Sequence, residues 1–147
     1  MAVQVEIAKI EDLPLFTEME QEADTRGFIV PCNLEEHIKH YSKSDVVYLR
    51  ILENRKLAGF IFLVLEPDGK SVEFRRIVVT TSSRGIGQKS ILAMEDYCRN
   101  VLYRLRIWLD VFGDNKRARH IYEKTGYHRF GESEYGDKQL LLYEKKL

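Results

Sequence analysis

The chain has 147 residues, 44% hydrophobic and 31% charged, with 23 basic side chains against 23 acidic ones. These proportions suit one folded domain spanning 1–147 with a core of its own, and they exclude disorder, coiled coil and collagen. The even charge balance argues against a protein built to sit on nucleic acid or an anionic membrane.

The first stretch, Val3 to Ala8, alternates Val3, Val5 and Ile7 with polar residues and reads as a half-buried strand. Charges at Glu6, Lys9, Glu11 and Asp12 interrupt the opening residues, so no secretory signal is expected, and no segment reaches membrane-spanning length. Asp12 reads as a helix cap, with Leu13, Phe16 and Met19 following at helical spacing. Gly27 and Pro31 break that helix, and a second short helix is expected after Asn33. Val46–Leu52 and Leu57–Leu65 are apolar runs joined by a hairpin-length connection, and "EPDGK" is a second turn leading to a strand over Val72–Val79. Gly85 to Leu102 places Ile91, Met94, Cys98 and Val101 on one helical stripe. Arg104 to Phe112 alternates Leu105, Ile107, Leu109 and Val111 as a strand. Asp114 is expected to cap a further helix with Ala118, Ile121, Tyr122 and Thr125 on one face, ended by Gly126. Tyr127–Phe130 and Lys138–Glu144 read as two last strands around "GESEYGD". The order predicts an α/β fold: one mixed, mostly antiparallel sheet of six or seven strands, flanked by helices.

The stretch "VVTTSSRGIGQKSIL", Val78 to Leu92, carries the strongest chemical signal. A strand that turns directly into a helix presents unpaired amides and a partial positive charge, which together attract an anion. Gly85 and Gly87 remove the Cβ atoms that would keep a phosphate away, while Ser82, Ser83 and Arg84 add donors and a cation. A glycine-rich connection without any ligand is the plain alternative. "GIGQKS" also approaches the dinucleotide fingerprint, with Asp110 near the place of a ribose-binding acid, but the third glycine is missing and the motif follows an antiparallel meander.

Downstream the chain reads "DVFGDNKRARHIYEKTGY". Arg84, Gly85, Ile86 and Gly87 fit [RQ]-x-x-G-x-[GA], and Asn115, Ala118, Tyr122, Gly126 and Tyr127 fit N-x-x-A-x-x-x-Y-x-x-x-G-[FY]. In this pair of motifs, and in the order of elements over nearly its whole length, the sequence resembles the GNAT acetyltransferase superfamily. The string "LRIWLDVFGDNKRARHIYEKTGY" is most similar to the branch acting on ribosomal proteins and small amines. Lys89 departs from the pattern, standing where a small residue is usual.

The resemblance implies an N-acetyltransferase that uses acetyl-CoA as acetyl donor, without a metal, on a primary amine: a small amine, an amino acid or a protein N-terminus. It implies that the sheet splays between its central parallel strands. Backbone at Ile77, Val78 and Val79 would meet the pantetheine. Arg84, Gly85, Ile86, Gly87, Gln88 and Lys89 would hold the pyrophosphate, and Asn115 would also touch the donor. Tyr122 is implied as general acid, since a phenol of ordinary pKa ~10 keeps its proton at neutral pH. Glu73 and Asp110 are the two candidates for the base, each through a water relay. Packing alone for Tyr122, helix capping for Asn115 and an ion pair of Glu73 with Arg75 or Arg76 are the plain alternatives. A non-catalytic acyl-CoA sensor or a dinucleotide oxidoreductase would be the rival functions.

His37, His40, His120 and His128 form no metal-ligand spacing and are expected at the surface. Cys32 and Cys98 lie far apart and are read as reduced thiols in a cytoplasm. Arg26, Phe28 and the loop after Glu132 are expected around the acceptor pocket. No nucleic-acid or membrane partner is expected, and a homodimer is left open.

Overall fold

The computed structural model describes residues 2–22, 32–80 and 85–147. The expectations placed on Arg26, Gly27, Phe28 and Pro31, and on Ser82, Ser83 and Arg84, lie outside the described residues. Within them the chain runs β1 (Val3–Ile7), a 3-10 turn (Ile10–Asp12), α1 (Leu13–Glu22), α2 (Leu34–Tyr41), β2 (Val46–Glu53), β3 (Lys56–Leu65) and β4 (Ser71–Val79). It continues with α3 (Ile86–Asn100), β5 (Arg106–Phe112), α4 (Lys116–Lys124), β6 (His128–Tyr135) and β7 (Lys138–Lys146). The strands form one seven-stranded sheet in the order β1-β2-β3-β4-β5-β7-β6. Its described pairs are antiparallel except β4 with β5. This is not the doubly wound parallel sheet that a dinucleotide fingerprint would serve.

Two apolar clusters lie on opposite faces of the sheet. On one face Ile91, Met94 and Cys98 of α3 pack against Leu49, Ile61, Phe74, Ile107 and Leu109, with Ala118, Ile121 and Tyr122 of α4 at its edge. On the other, Leu13 and Phe16 of α1 pack against Tyr48, Phe60 and Phe62. Alternation along β5 divides its residues cleanly: Ile107, Leu109 and Val111 are buried with α3, while Trp108 and Asp110 face away. Each fully buried aliphatic side chain contributes roughly 1.5–3 kcal/mol.

Several local expectations change. Asp12 does not cap α1; it closes the preceding 3-10 turn, its carboxylate accepting the Lys9 N–H at 2.9 Å. Asn115, not Asp114, caps α4, its side-chain oxygen accepting the Ala118 N–H at 3.2 Å. Val101 and Leu105 are 54% and 57% exposed, because α3 ends at Asn100 and the chain turns through Tyr103 at φ +54° before β5 begins. Ile7 is exposed on the edge strand β1. The segment after Glu132 is strand rather than loop: β6 and β7 continue through "GESEYGD" to a two-residue turn at Gly136 and Asp137. Its polar sequence hid this, since β6 is an edge strand whose side chains are mostly exposed.

The histidine expectation fails at one position. His37 is fully buried, with Nε2 against the Glu20 carboxylate and Nδ1 2.6 Å from the Tyr48 hydroxyl. The same Glu20 takes Arg76 Nη1 at 2.6 Å, so a buried polar chain ties α1 and α2 to β2 and β4.

Candidate active site

The parallel pair at the middle of the sheet is short. Ser71, Val72 and Glu73 pair with Arg106, Ile107 and Trp108, and beyond Glu73 and Trp108 the two strands pair no further. Ile77 and Val79 keep partners on one side only, Ile61 and Gly59 of β3. A register shift opposite Phe62 and Leu63 leaves Arg75 as an extra residue of β4, a bulge of the kind that bends a strand and increases its twist. β4 lies very close to β3 at Gly59, where a Cβ would stand 2.0 Å from the Val78 carbonyl oxygen. The Val78 side chain is buried in the α1 cluster. An opening results, with unpaired backbone of β4 along one wall.

Helix α3 begins at the top of that opening. Gly85 is its N-cap in the left-handed conformation, φ +84°, which side chains with a Cβ rarely adopt. Gly87 has no such backbone need, and a Cβ there would meet nothing within 4 Å among the described residues. Glycine in a helix costs about 1 kcal/mol relative to alanine. Ile86 points into the core, so it offers a ligand its amide only. The Lys89 N–H is already committed to the Gly85 carbonyl at 2.9 Å, whereas its side chain is exposed. The ammonium, not the amide, is the group of Lys89 left facing solvent.

Tyr122 of α4 packs against β4, its ring edge-on to Phe74 and to Tyr127 at 6.0 Å each. Burial, and then the negative charge of Asp110, push its phenol up to about 12. On the face of the sheet away from α3, Glu73 is buried and held by Arg75, Nη2 to Oε1 at 2.7 Å and Nε to Oε2 at 3.1 Å. The ion-pair alternative for Glu73 is thus realised, with Arg75. Asp110 keeps one side open to water, yet partial desolvation and then the Glu73 charge raise its pKa above the ordinary carboxylate value, while Arg75 pulls it back. Two carboxylates, one guanidinium and a protonated phenol thus share one electrostatic neighbourhood, although their carriers β4, β5 and α4 are far apart in sequence. Asn115 lies at the foot of α4, half-buried, with its oxygen used for capping.

Neither the Trp108 indole, which donates to Glu66 Oε1 at 3.1 Å and lies beside Glu73 in the parallel register, nor the Glu20–His37 pair was indicated by the sequence. Both depend on partners 42 and 17 residues away, beyond any local pattern. Among the described residues no group of three or more His, Cys, Asp or Glu side chains forms a metal site. No described helix is long and apolar enough to cross a membrane.

A mixed sheet that opens at a central parallel pair, with a glycine-headed helix at the opening, defines a class: transferases that take an acyl group from coenzyme A. The model of the acetyltransferase (GNAT) family matches residues 11–127, and the chain belongs to that family of acyltransferase enzymes. Among solved structures it is similar to the spermidine N-acetyltransferase of Vibrio cholerae in complex with CoA and spermine, at 19% identity and a TM-score of 0.84, covering 98% of this chain and 95% of that one. A dodecameric structure of spermidine N-acetyltransferase from Vibrio cholerae aligns at 18% identity and a TM-score of 0.78, covering 98% and 93%. A proposed phosphinothricin N-acetyltransferase aligns at 17% identity and a TM-score of 0.81, covering 99% and 98%. No curated protein matches the sequence at the same stringency.

Proposed function

We propose that the chain works as one domain that moves the acetyl group of acetyl-CoA to the primary amine of a small cationic acceptor. The observation that carries this reading is the parting of β4 from β5 beyond Glu73 and Trp108, which leaves Ile77 and Val79 paired on one side only below the glycine-headed start of α3. Acetyl-CoA supplies the thioester and a leaving thiolate. The first amides of α3, with Arg84 and the Lys89 ammonium, bind its diphosphate, which a helix N-terminus favours by both unpaired donors and dipole. The unpaired edge of β4 at Ile77, Val78 and Val79 accepts the pantetheine as an added strand. Asn115, whose oxygen is used for capping, has its amide N–H left to donate toward the same molecule.

The remaining steps are proton movements. An amine attacks only when neutral, so Asp110 accepts a proton from it through water, its raised pKa making it a better base than an ordinary carboxylate. Glu73, buried and pinned by Arg75, holds the charge that raises Asp110 and is the second candidate for the same role. Tyr122 donates its proton as the carbon–sulfur bond breaks, and a phenol near 12 is fully protonated at neutral pH for that task.

A small cationic acceptor is favoured over an acidic one because Glu73, Asp110 and Glu66 stand on this face, where Arg75 is paired with Glu73. The two spermidine N-acetyltransferase structures among the similar folds agree with that choice. The test is thiol release from acetyl-CoA with a panel of amines, amino acids and peptides. Turnover with diamines or polyamines is expected, and Tyr122→Phe should lower kcat by about a hundredfold, within the usual range for loss of a general acid. Acetyl-CoA binding without turnover on any amine would make the chain a sensor instead.

A further inference from the structure

A part-buried ion pair joins α3 to β7 near the end of α4. Glu95 of α3 is 3% exposed, and its Oε1 accepts from Lys145 Nζ of β7 at 2.9 Å. The same ammonium donates to the Thr125 carbonyl at 2.7 Å, at the C-terminal end of α4, and lies 5.7 Å over the Tyr127 ring. Thr125 and Tyr127 in turn close on Tyr122. The Tyr122 carbonyl accepts the Tyr127 N–H at 3.0 Å, the Thr125 N–H at 3.2 Å and the Thr125 hydroxyl at 3.0 Å, and the Tyr127 ring stands against the Tyr122 ring.

Gly126 fits the same arrangement. Its φ is +99°, and a Cβ there would come within 3.3 Å of Lys145 Cε and 3.5 Å of Nζ. The glycine that ends α4 thus also admits the lysine beneath it. A cation at the C-terminal end of a helix is favourably placed against its dipole, and burial with an opposite charge keeps it fixed. The α3 end of the pair belongs to the helix whose first turn faces the donor diphosphate; the α4 end sits three residues beyond the phenol.

We propose that Lys145, anchored by Glu95, is a positioning residue that sets the spacing between the first turn of α3 and Tyr122. It bridges Glu95 of α3 and the Thr125 carbonyl at the end of α4, and acts through those two contacts. The inference rests on the reading of Tyr122 as the proton donor.

The test is steady-state kinetics of Lys145→Met in the wild-type and in the Tyr122→Phe background. In the wild type kcat should fall about tenfold, as small misplacements of a catalytic group do, with the KM for acetyl-CoA held within about twofold. In the Tyr122→Phe background the same change should cost less than about twofold, because residues that act through one another are not additive. Since Lys145→Met leaves Glu95 buried without a counter-charge, the pair Glu95→Gln with Lys145→Met is measured beside it; this pair carries no buried charge and should give the same kcat loss. Equal losses in both backgrounds, or no loss in the wild type, overturn the proposal while leaving Tyr122 as the acid. An unchanged kcat in Tyr122→Phe alone overturns the acid assignment, and the positioning role falls with it.

Discussion

Asp110 shows how one carboxylate can be set apart from its neighbours. Desolvation and the Glu73 charge act in the same direction on it, and Arg75 opposes both. Glu73→Gln should therefore lower the Asp110 pKa twice over, by removing a negative charge and by freeing Arg75 to face Asp110. A carboxyl-carbon NMR titration of both proteins would read this, and an unchanged or higher midpoint in the variant would contradict it. If Asp110 is the base, the acid limb of kcat moves to lower pH in the same variant, since Asp110 is then deprotonated earlier as pH rises. Asn115 offers a second separation of roles. Asn115→Ala should cost about 1 kcal/mol of stability through the lost cap. Asn115→Asp keeps the capping oxygen, loses the amide donor and adds a negative charge, so it should retain stability and still bind the anionic acetyl-CoA more weakly. Urea unfolding and calorimetry distinguish the two. Equal acetyl-CoA affinity in Asn115→Asp would reduce the residue to a cap. Tyr122, Asn115, Gly126 and Tyr127 were legible in sequence because one helix and its end impose fixed spacing on them. Glu95 and Lys145 were not, being 50 residues apart and joined only when β7 enters the sheet beside β5.

At the scale of elements, the hairpin of β2 and β3 was readable because long apolar runs flank a short polar turn. Its turn consists of Asn54 and Arg55, both at positive φ (51° and 70°), with Glu53 opposite Lys56. That geometry prefers glycine in the second place. Arg55→Gly should raise stability by roughly 0.5–1 kcal/mol, the relief of a left-handed residue less the added chain entropy of glycine. Urea denaturation checks it, and a loss of stability would mean that the arginine side chain contributes more than its backbone costs. The bulge at Arg75 was illegible, although it accompanies the parting of β4 from β5. A bulge depends on register against β3, and the composition of β4 alone does not carry that register. The extended β6–β7 hairpin was missed for a simpler reason. Apolar alternation marks only strands with one buried face, and β6 has almost none.

For the molecule as a whole, the sheet divides the labour. Its continuous part, β1 to β4, is covered by α1 and α2 on one face and by α3 on the other. Its second part, β5, β7 and β6, pairs with the first along β4 and β5 through three residue pairs. The opening is therefore a consequence of how two well-paired halves meet, and both the glycine-headed helix and the phenol-bearing helix belong to the connections around that junction. Donor binding at such a junction should stabilise the folded chain, by about 2.7 kcal/mol at a hundred times the dissociation constant. The most direct measurement is calorimetric binding of acetyl-CoA to Gly87→Val, with its unfolding stability determined in parallel. A Cβ added at this position meets nothing within 4 Å among the described residues, so stability should be unchanged or slightly higher, while affinity falls at least about tenfold as the diphosphate is pushed off the first turn of α3. Wild-type affinity in this variant would contradict the placement of coenzyme A at the head of α3.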